Sequence, residues 1–204
     1  MNTESKFASL KEKEREARKQ IIIDSALALF AKKPFYDVGM RDVADEAGVS
    51  PATLYRYFPS QEELFVEAFI QDISSVSKAF EGMVRKDAPA TIEDFAVTYV
   101  DHLIQNESTF QMMTYIMLKD NMDDQALKDF GAVTRIFFDG FSSLLEQYGV
   151  KENVRLYAQS FIGALSGIIM SYRNYAGKDK NKIREHILKL TRITAEIYTH
   201  KLMP

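Results

Sequence analysis

Residues 50–58, Ser-Pro-Ala-Thr-Leu-Tyr-Arg-Tyr-Phe, gather side chains that can hydrogen-bond to a polyanion and its bases. An arginine such as Arg56 can fork onto a guanine edge in the major groove. The hydroxyls of Ser50, Thr53, Tyr55 and Tyr57 can donate to phosphates or meet base edges. At helical spacing Thr53, Tyr55, Arg56 and Tyr57 take accessible positions and Leu54 and Phe58 are left to pack. A helix this short cannot bury every one of its aromatic rings, so some polar aromatic surface faces outward. The same spacing also fits an ordinary helical hairpin with surface tyrosines, and periodicity leaves the two readings open.

Other chemistries lack their residues. With no Cys, thiolate catalysis, disulfides, Cys-ligated zinc and iron–sulfur clusters are excluded. The three histidines, His102, His186 and His200, form no HExxH motif and no Glu-x-x-His pair of the di-iron type. Glu196 and His200 stand four residues apart near the C-terminus, a spacing that reads as a surface contact. Gly163-Ala-Leu-Ser-Gly167 is no nucleophile elbow, because its Ser is misplaced and the segment is helical in pattern. There is no phosphate-cradling glycine loop. The expectation is a protein that binds rather than catalyses, with no metal and no cofactor.

The elements that must hold Ser50–Phe58 are helical. Apolar residues recur at helical spacing from Ile23, Ala26, Leu27 and Phe30 through to Ile187, Leu190, Ile193 and Ile197, with no alternating strand pattern. One sustained stripe runs Phe65, Phe69, Ile73, Val76, Phe80 and Met83, and others run through Phe95–Leu103, Phe110–Met117, Phe130–Tyr148 and Val154–Tyr172. Proline is absent from the proposed helix interiors, where it would cost about 3 kcal/mol. Gly48 is placed to stop one short helix abruptly, and Gly149 and Gly177 fall where long helices should end. Ser60–Glu63 and Ser108–Gln111 read as capping boxes. The expectation is an all-α fold of about nine helices. A three-helix N-terminal helix-turn-helix domain over residues 1–60 is followed by a larger helical bundle over residues 61–204.

Charge is distributed unevenly. Residues 1–60 carry 10 Lys+Arg against 9 Asp+Glu, residues 61–150 carry 6 against 16, and residues 151–204 carry 10 against 4. The acidic excess belongs to the middle and does not oppose a nucleic-acid site near the N-terminus. No apolar run is long enough to span a membrane, and MNTESKFASLKEKERE lacks the apolar core of a signal peptide, so a cytoplasmic protein is expected.

The run Arg41-Asp-Val-Ala-Asp-Glu-Ala-Gly-Val-Ser-Pro-Ala-Thr-Leu-Tyr-Arg-Tyr-Phe-Pro-Ser-Gln-Glu-Glu-Leu64 resembles the N-terminal signature of TetR-type transcriptional regulators. The resemblance implies a homodimeric DNA-binding regulator, usually a repressor, whose C-terminal domain binds a small ligand and releases a palindromic double-stranded operator. It implies that Arg41 touches groove or phosphate, that Ser50, Pro51, Ala52, Thr53, Arg56 and Tyr57 lie near the bases, and that Tyr55 contacts a phosphate. Two positions depart from the family pattern: Gly39 stands where a Thr is common, and Gln61 where a Lys usually touches the backbone. Lys11, Arg15, Arg18 and Lys19 lie near one helical face upstream and could add phosphate contacts, although Glu12, Glu14 and Glu16 favour a self-paired, solvated helix.

Farther along, an apolar region rich in Phe, Tyr and Met suits either plain core packing or a pliable small-molecule pocket. The expected ligand-binding set is Tyr99, His102, Met113, Met117, Phe137, Phe141 and Phe161, with an apolar or amphipathic effector. The small residues Ala158, Gly163, Ala164, Ser166 and Gly167 allow close helix approach. Residues 151–202 are accordingly expected to form the homodimer contact, as in the family. The competing reading is an apolar-ligand-binding helical protein that has lost specific DNA binding.

Overall fold

The computed structural model describes the backbone of residues 3–84, 90–174 and 179–202, with side chains for 7–73, 90–174 and 179–202. Among them are nine α-helices and no strand: α1 (Thr3–Phe30), α2 (Met40–Glu46), α3 (Pro51–Tyr57), α4 (Gln61–Val84), α5 (Ile92–Gln105), α6 (Glu107–Leu118), α7 (Asp124–Gln147), α8 (Val154–Tyr172) and α9 (Lys180–Leu202). A single 3-10 turn, Phe35–Asp37, joins α1 to α2. The cap expected at Gly177 and the side chains of Val76, Phe80 and Met83 lie outside the described residues.

Glycine ends two helices in the same way. Gly48 has φ +65° and Gly149 has φ +87°, the left-handed region that costs an L-residue about 1–2 kcal/mol. After α2, Val49 N–H donates to the Ala44 carbonyl at 2.9 Å and Gly48 N–H to Asp45 at 3.2 Å. After α7, Val150 N–H donates to Leu145 at 3.1 Å and Gly149 N–H to Glu146 at 2.9 Å. Both are Schellman closures, which satisfy terminal carbonyls and turn the chain sharply.

The chain packs as two compact units, one of residues 1–72 with 111–130, the other of residues 73–110 with 131–204. The role boundary expected at 60/61 falls inside the first unit. The reason is that the opening turns of α4 are stitched to what precedes them. Lys19 Nζ bonds Glu67 Oε1 at 2.6 Å, and the Gln61 amide donates to the Val38 carbonyl at 2.9 Å. The core of this unit joins Ile22, Ala26 and Phe30 of α1, Val43 and Ala44 of α2, Leu54 of α3, Phe58, and Leu64 and Phe65 of α4, all buried. Phe30 and Phe35 each meet Phe65 edge-on at 5.4 Å between centroids, and Tyr115 of α6 meets Phe35 at 5.2 Å. Edge-on geometry suits the ring quadrupoles and adds about 0.5–1.5 kcal/mol per pair beyond area burial.

In the second unit α5 packs along α9 and against α8. Arg184 on α9 bonds Asp101 on α5 at 2.7 Å, and Arg192 bonds Glu93 at 3.1 Å. A reciprocal cap starts α5: Asp94 N–H donates to Thr91 Oγ1 at 3.0 Å and Thr91 N–H to Asp94 Oδ2 at 2.9 Å. The box expected at Ser108 is displaced, since α6 already starts at Glu107. At Ser60 the forward half forms, with Glu63 N–H donating to Ser60 Oγ at 3.1 Å.

Candidate nucleic-acid interface and ligand region

The short helix α3 is fixed at both ends and along one side. Ser50 caps it, accepting from Thr53 N–H at 3.1 Å, and Pro51 occupies the first helical position, where no N–H is needed. Leu54 is 0% exposed and Phe58 is buried, so the helix is pinned on its inner side. The opposite side reaches solvent: Ser50, Pro51, Ala52, Tyr55 and Arg56 are exposed, and Thr53 and Tyr57 are half-buried. Tyr55 keeps 50% of its surface accessible, an unusual amount for an aromatic ring in a well-packed frame. The Ser50 and Thr53 hydroxyls bond each other at 2.9 Å, which orients both outward-facing oxygens.

Arg41 is exposed in the first turn of α2. Neither Arg41 nor Arg56 is paired with a carboxylate among the described residues, whereas two acids of α2, Asp42 and Glu46, are occupied by lysines. Lys33 Nζ bonds Asp42 Oδ2 at 2.9 Å and Lys32 Nζ bonds Glu46 Oε1 at 2.9 Å. The Lys33 ammonium, then the Gly39 N–H, hold the Asp42 carboxyl below the usual carboxylate range. The guanidinium groups of Arg41 and Arg56 are thus both exposed and outside any ion pair among the described residues.

The two departures from the family pattern acquire structural roles. Gly39 offers no hydroxyl, yet its N–H donates to Asp42 Oδ2 at 2.9 Å, so the start of α2 is capped from within the helix. Gln61, in place of a Lys, ties α4 to the carbonyl of Val38. The upstream basic face is largely self-paired: Arg18 bonds Glu14 at 2.6 Å and Arg15 lies 4.0 Å from Glu12. Lys19 does not belong to an outward face at all, since it pairs with Glu67 and lies over the Phe58 ring at 5.6 Å.

One contact had no sequence signal except the i, i+4 spacing of Tyr115 and Lys119. Lys119 Nζ bonds Glu62 Oε1 in the first turn of α4 and donates to the Tyr115 hydroxyl at 2.7 Å. The hydrogen bond from Lys119 lowers the Glu62 carboxyl and the same bond raises the ammonium.

Of the seven residues expected to bind a ligand, four aromatics form two ring pairs in the second unit. Phe141 stacks on Phe161 at 4.5 Å and meets Phe95 at 4.7 Å, while Tyr99 meets Phe137 edge-on at 5.8 Å. All four are buried, and the Tyr99 hydroxyl shares a hydrogen bond with Ser166 Oγ at 3.2 Å. Burial pushes the Tyr99 phenol pKa up. His102 is half-buried, with Nδ1 3.2 Å from the Asn106 amide nitrogen. Met113 and Met117 belong to the first unit instead, where Met113 is buried and Met117 is 57% exposed. Its exposure departs from the stripe Phe110–Met117, because the packed face of α6 runs through Met112, Met113 and Ile116.

His200 and Glu196 lie 3.7 Å apart on the surface. Among the described residues no group of three acidic or histidine side chains is placed to hold a metal ion, and no helix is long and apolar enough to cross a membrane.

Residues 22–68 match the family described as bacterial regulatory proteins, tetR family. The transcriptional repressor KstR of Mycobacterium tuberculosis is 45% identical over 65 residues, 32% of this chain and 29% of that protein. The chain spans about a third of the length of the KstR relatives it matches. Over the fold, RolR in complex with resorcinol superposes with TM-score 0.64 at 21% identity, covering 91% of this chain and 95% of RolR. Thermus thermophilus FadR, a TetR-family repressor in complex with lauroyl-CoA, superposes with TM-score 0.63 at 17% identity, covering 85% and 93%. The matched stretch contains α2 and α3, the helix-turn-helix of this chain, and the solved structures share its fold.

Proposed function

We propose that the protein is a sequence-specific DNA-binding repressor, released from a palindromic operator by a small apolar or amphipathic ligand. The observation that carries this reading is α3: a helix pinned by Leu54 and Phe58 that turns Tyr55, Arg56 and the Ser50–Thr53 hydroxyl pair outward. Residues 1–60 carry DNA binding in this reading, with Arg41, Ser50, Pro51, Ala52, Thr53, Tyr55, Arg56 and Tyr57 at the interface. Residues 61–204 carry effector binding and dimerisation, and the protein works in the cytoplasm without an enzymatic step.

The homodimer forms through residues 151–202. Support comes from apolar side chains left in solvent on the last two helices: Leu156 and Met170 on α8, and Ile193 and Ile197 on α9. Gly163 and Ala164 are exposed on α8, where small side chains permit close approach. A C₂ dimer presents two recognition helices about 34–36 Å apart, one turn of B-DNA. The effector pocket takes Tyr99, His102, Phe137, Phe141 and Phe161 of the second unit. KstR and FadR are both repressors, and FadR holds an amphipathic acyl ligand. A ligand can move the DNA equilibrium only by its differential affinity for the bound and released states.

The test is selection of bound duplexes from a random DNA pool by the purified protein. An inverted repeat is expected. Recovery of no motif, with only weak salt-sensitive binding, would overturn the operator reading and leave a ligand-binding helical protein.

A further inference from the structure

The ends of α5 and α8 and the start of α9 frame a groove of about 290 Å³ in the second unit. Its floor is apolar, built from Leu103, Ile104, Ile169, Ile183 and Ile187. Its rim is cationic, with Arg173, Lys180 and Arg184, against a single lining carboxylate, Glu107. None of the seven expected ligand residues lines it.

The cations differ in how they are held. Arg184 Nε donates to Asp101 Oδ1 at 2.7 Å. Arg173 Nη2 donates to Glu107 Oε1 at 2.8 Å while its guanidinium lies over the Phe110 ring at 4.6 Å. The Arg173 side chain is 21% exposed and its Glu107 partner 58%, so the cation is fixed by packing and the carboxylate reaches it from solvent. Lys180 opens α9, is exposed, and has no acidic partner among the described residues. Asp179 caps α9, its Oδ1 accepting from Asn181 N–H at 2.7 Å, and meets the helix dipole's preference for an anion there. Lys180, Lys182 and Arg184 outnumber that carboxylate and leave the opening of α9 with an excess of positive charge.

We propose that this groove binds a small organic monocarboxylate. Its carboxylate replaces Glu107 on Arg173 and meets Lys180, and its apolar body lies on the isoleucine-rich floor. The Arg173 guanidinium offers a carboxylate the planar fork that such an anion matches. Glu107 acts as the internal occupant that a ligand must displace. The site needs neither the aromatic cluster around Phe141 nor bound DNA.

The experiment is calorimetric titration of octanoate into the full-length protein, with 1-octanol as the uncharged counterpart. Saturable binding of one octanoate per chain is expected, with octanol about tenfold weaker or worse, because the charge-assisted bonds are lost. Arg173→Gln should weaken octanoate by about tenfold or more. Lys180→Gln, at an exposed position, should weaken it by about threefold without altering the melting temperature. Glu107→Gln should tighten it severalfold by removing the competitor, an effect that no merely structural role of Glu107 produces. Absence of octanoate binding, equal binding of octanol, or affinity unchanged by both Lys180→Gln and Glu107→Gln overturns the proposal. Recovery of an inverted repeat in the DNA selection does not depend on any of these outcomes, so failure here and failure of the repressor reading are separable.

Discussion

The outer face of α3 and the aromatic cluster around Phe141 are built on opposite terms. On α3 the side chains expected to do the work stand in water and the backbone beneath them is held by Leu54 and Phe58. In the cluster the side chains expected to work are themselves the packing: Phe141 is fully buried between Phe95 and Phe161. Function and stability are separable in the first region and fused in the second. A change on α3 can remove an interaction and leave the fold intact, whereas a change in the cluster alters both.

The largest test of that contrast is Phe141→Ala. Removing a buried ring from a stacked set should cost about 3–5 kcal/mol, read as a lower denaturant midpoint at unchanged slope. A loss under 1 kcal/mol would mean that the cluster is loosely packed and the contrast false. Next is Arg56→Ala, which should weaken operator binding by about 1–3 kcal/mol and relax the preference at one base pair, with stability within about 0.5 kcal/mol of the parent. Equal weakening on every DNA sequence would make Arg56 a phosphate contact instead.

Gly48→Ala probes the frame rather than either working surface. The φ of +65° is available to Gly and strained for Ala, and no atom lies close enough to clash with the new Cβ. The expected loss is therefore conformational, about 1–2 kcal/mol by thermal unfolding. An unchanged melting temperature would show that α2 tolerates another ending.

The smallest expected effect is Lys119→Met, about 1 kcal/mol at neutral pH for a half-buried ion pair. Its signature is the pH profile. Glu62 is lowered by its bond from Lys119, so its share of stability is present above the ordinary glutamate value and is lost as pH falls through the folded one. Lys119 is raised by the same bond, so its share is present below the ordinary lysine value and is lost as pH rises through the folded one. The gap between parent and variant should be widest at neutral pH and narrow below roughly pH 4.3 and above roughly pH 10.4. A gap that is constant with pH would assign the loss to packing of the lysine stem against Tyr115.

Much of the frame was legible because its signals are local. Ser50 and Pro51 announce the start of α3, Gly48 and Gly149 the ends of α2 and α7, and each acts within a few residues of itself. The inward positions of Leu54 and Phe58 follow from helical spacing. The partners of polar side chains were not legible. Lys19 shares a helix with Lys11, Arg15 and Arg18, yet it bonds Glu67, 48 residues away. Met117 continues an apolar stripe and ends in solvent, because the buried face of α6 runs through Met112, Met113 and Ile116.

The sequence by itself determined the all-helical pattern, the helix-turn-helix and the outward chemistry of α3, since capping, turn conformation and periodicity are short-range properties of the chain. Only the tertiary structure decided that α4 opens inside the same compact unit as α1–α3, and that Gln61 bonds the Val38 carbonyl while Asp42 caps α2 at Gly39. It alone gathered Arg173, Lys180 and Arg184 around an apolar floor. Those outcomes depend on which distant groups share a neighbourhood once the apolar faces are buried, and one-dimensional spacing does not encode that.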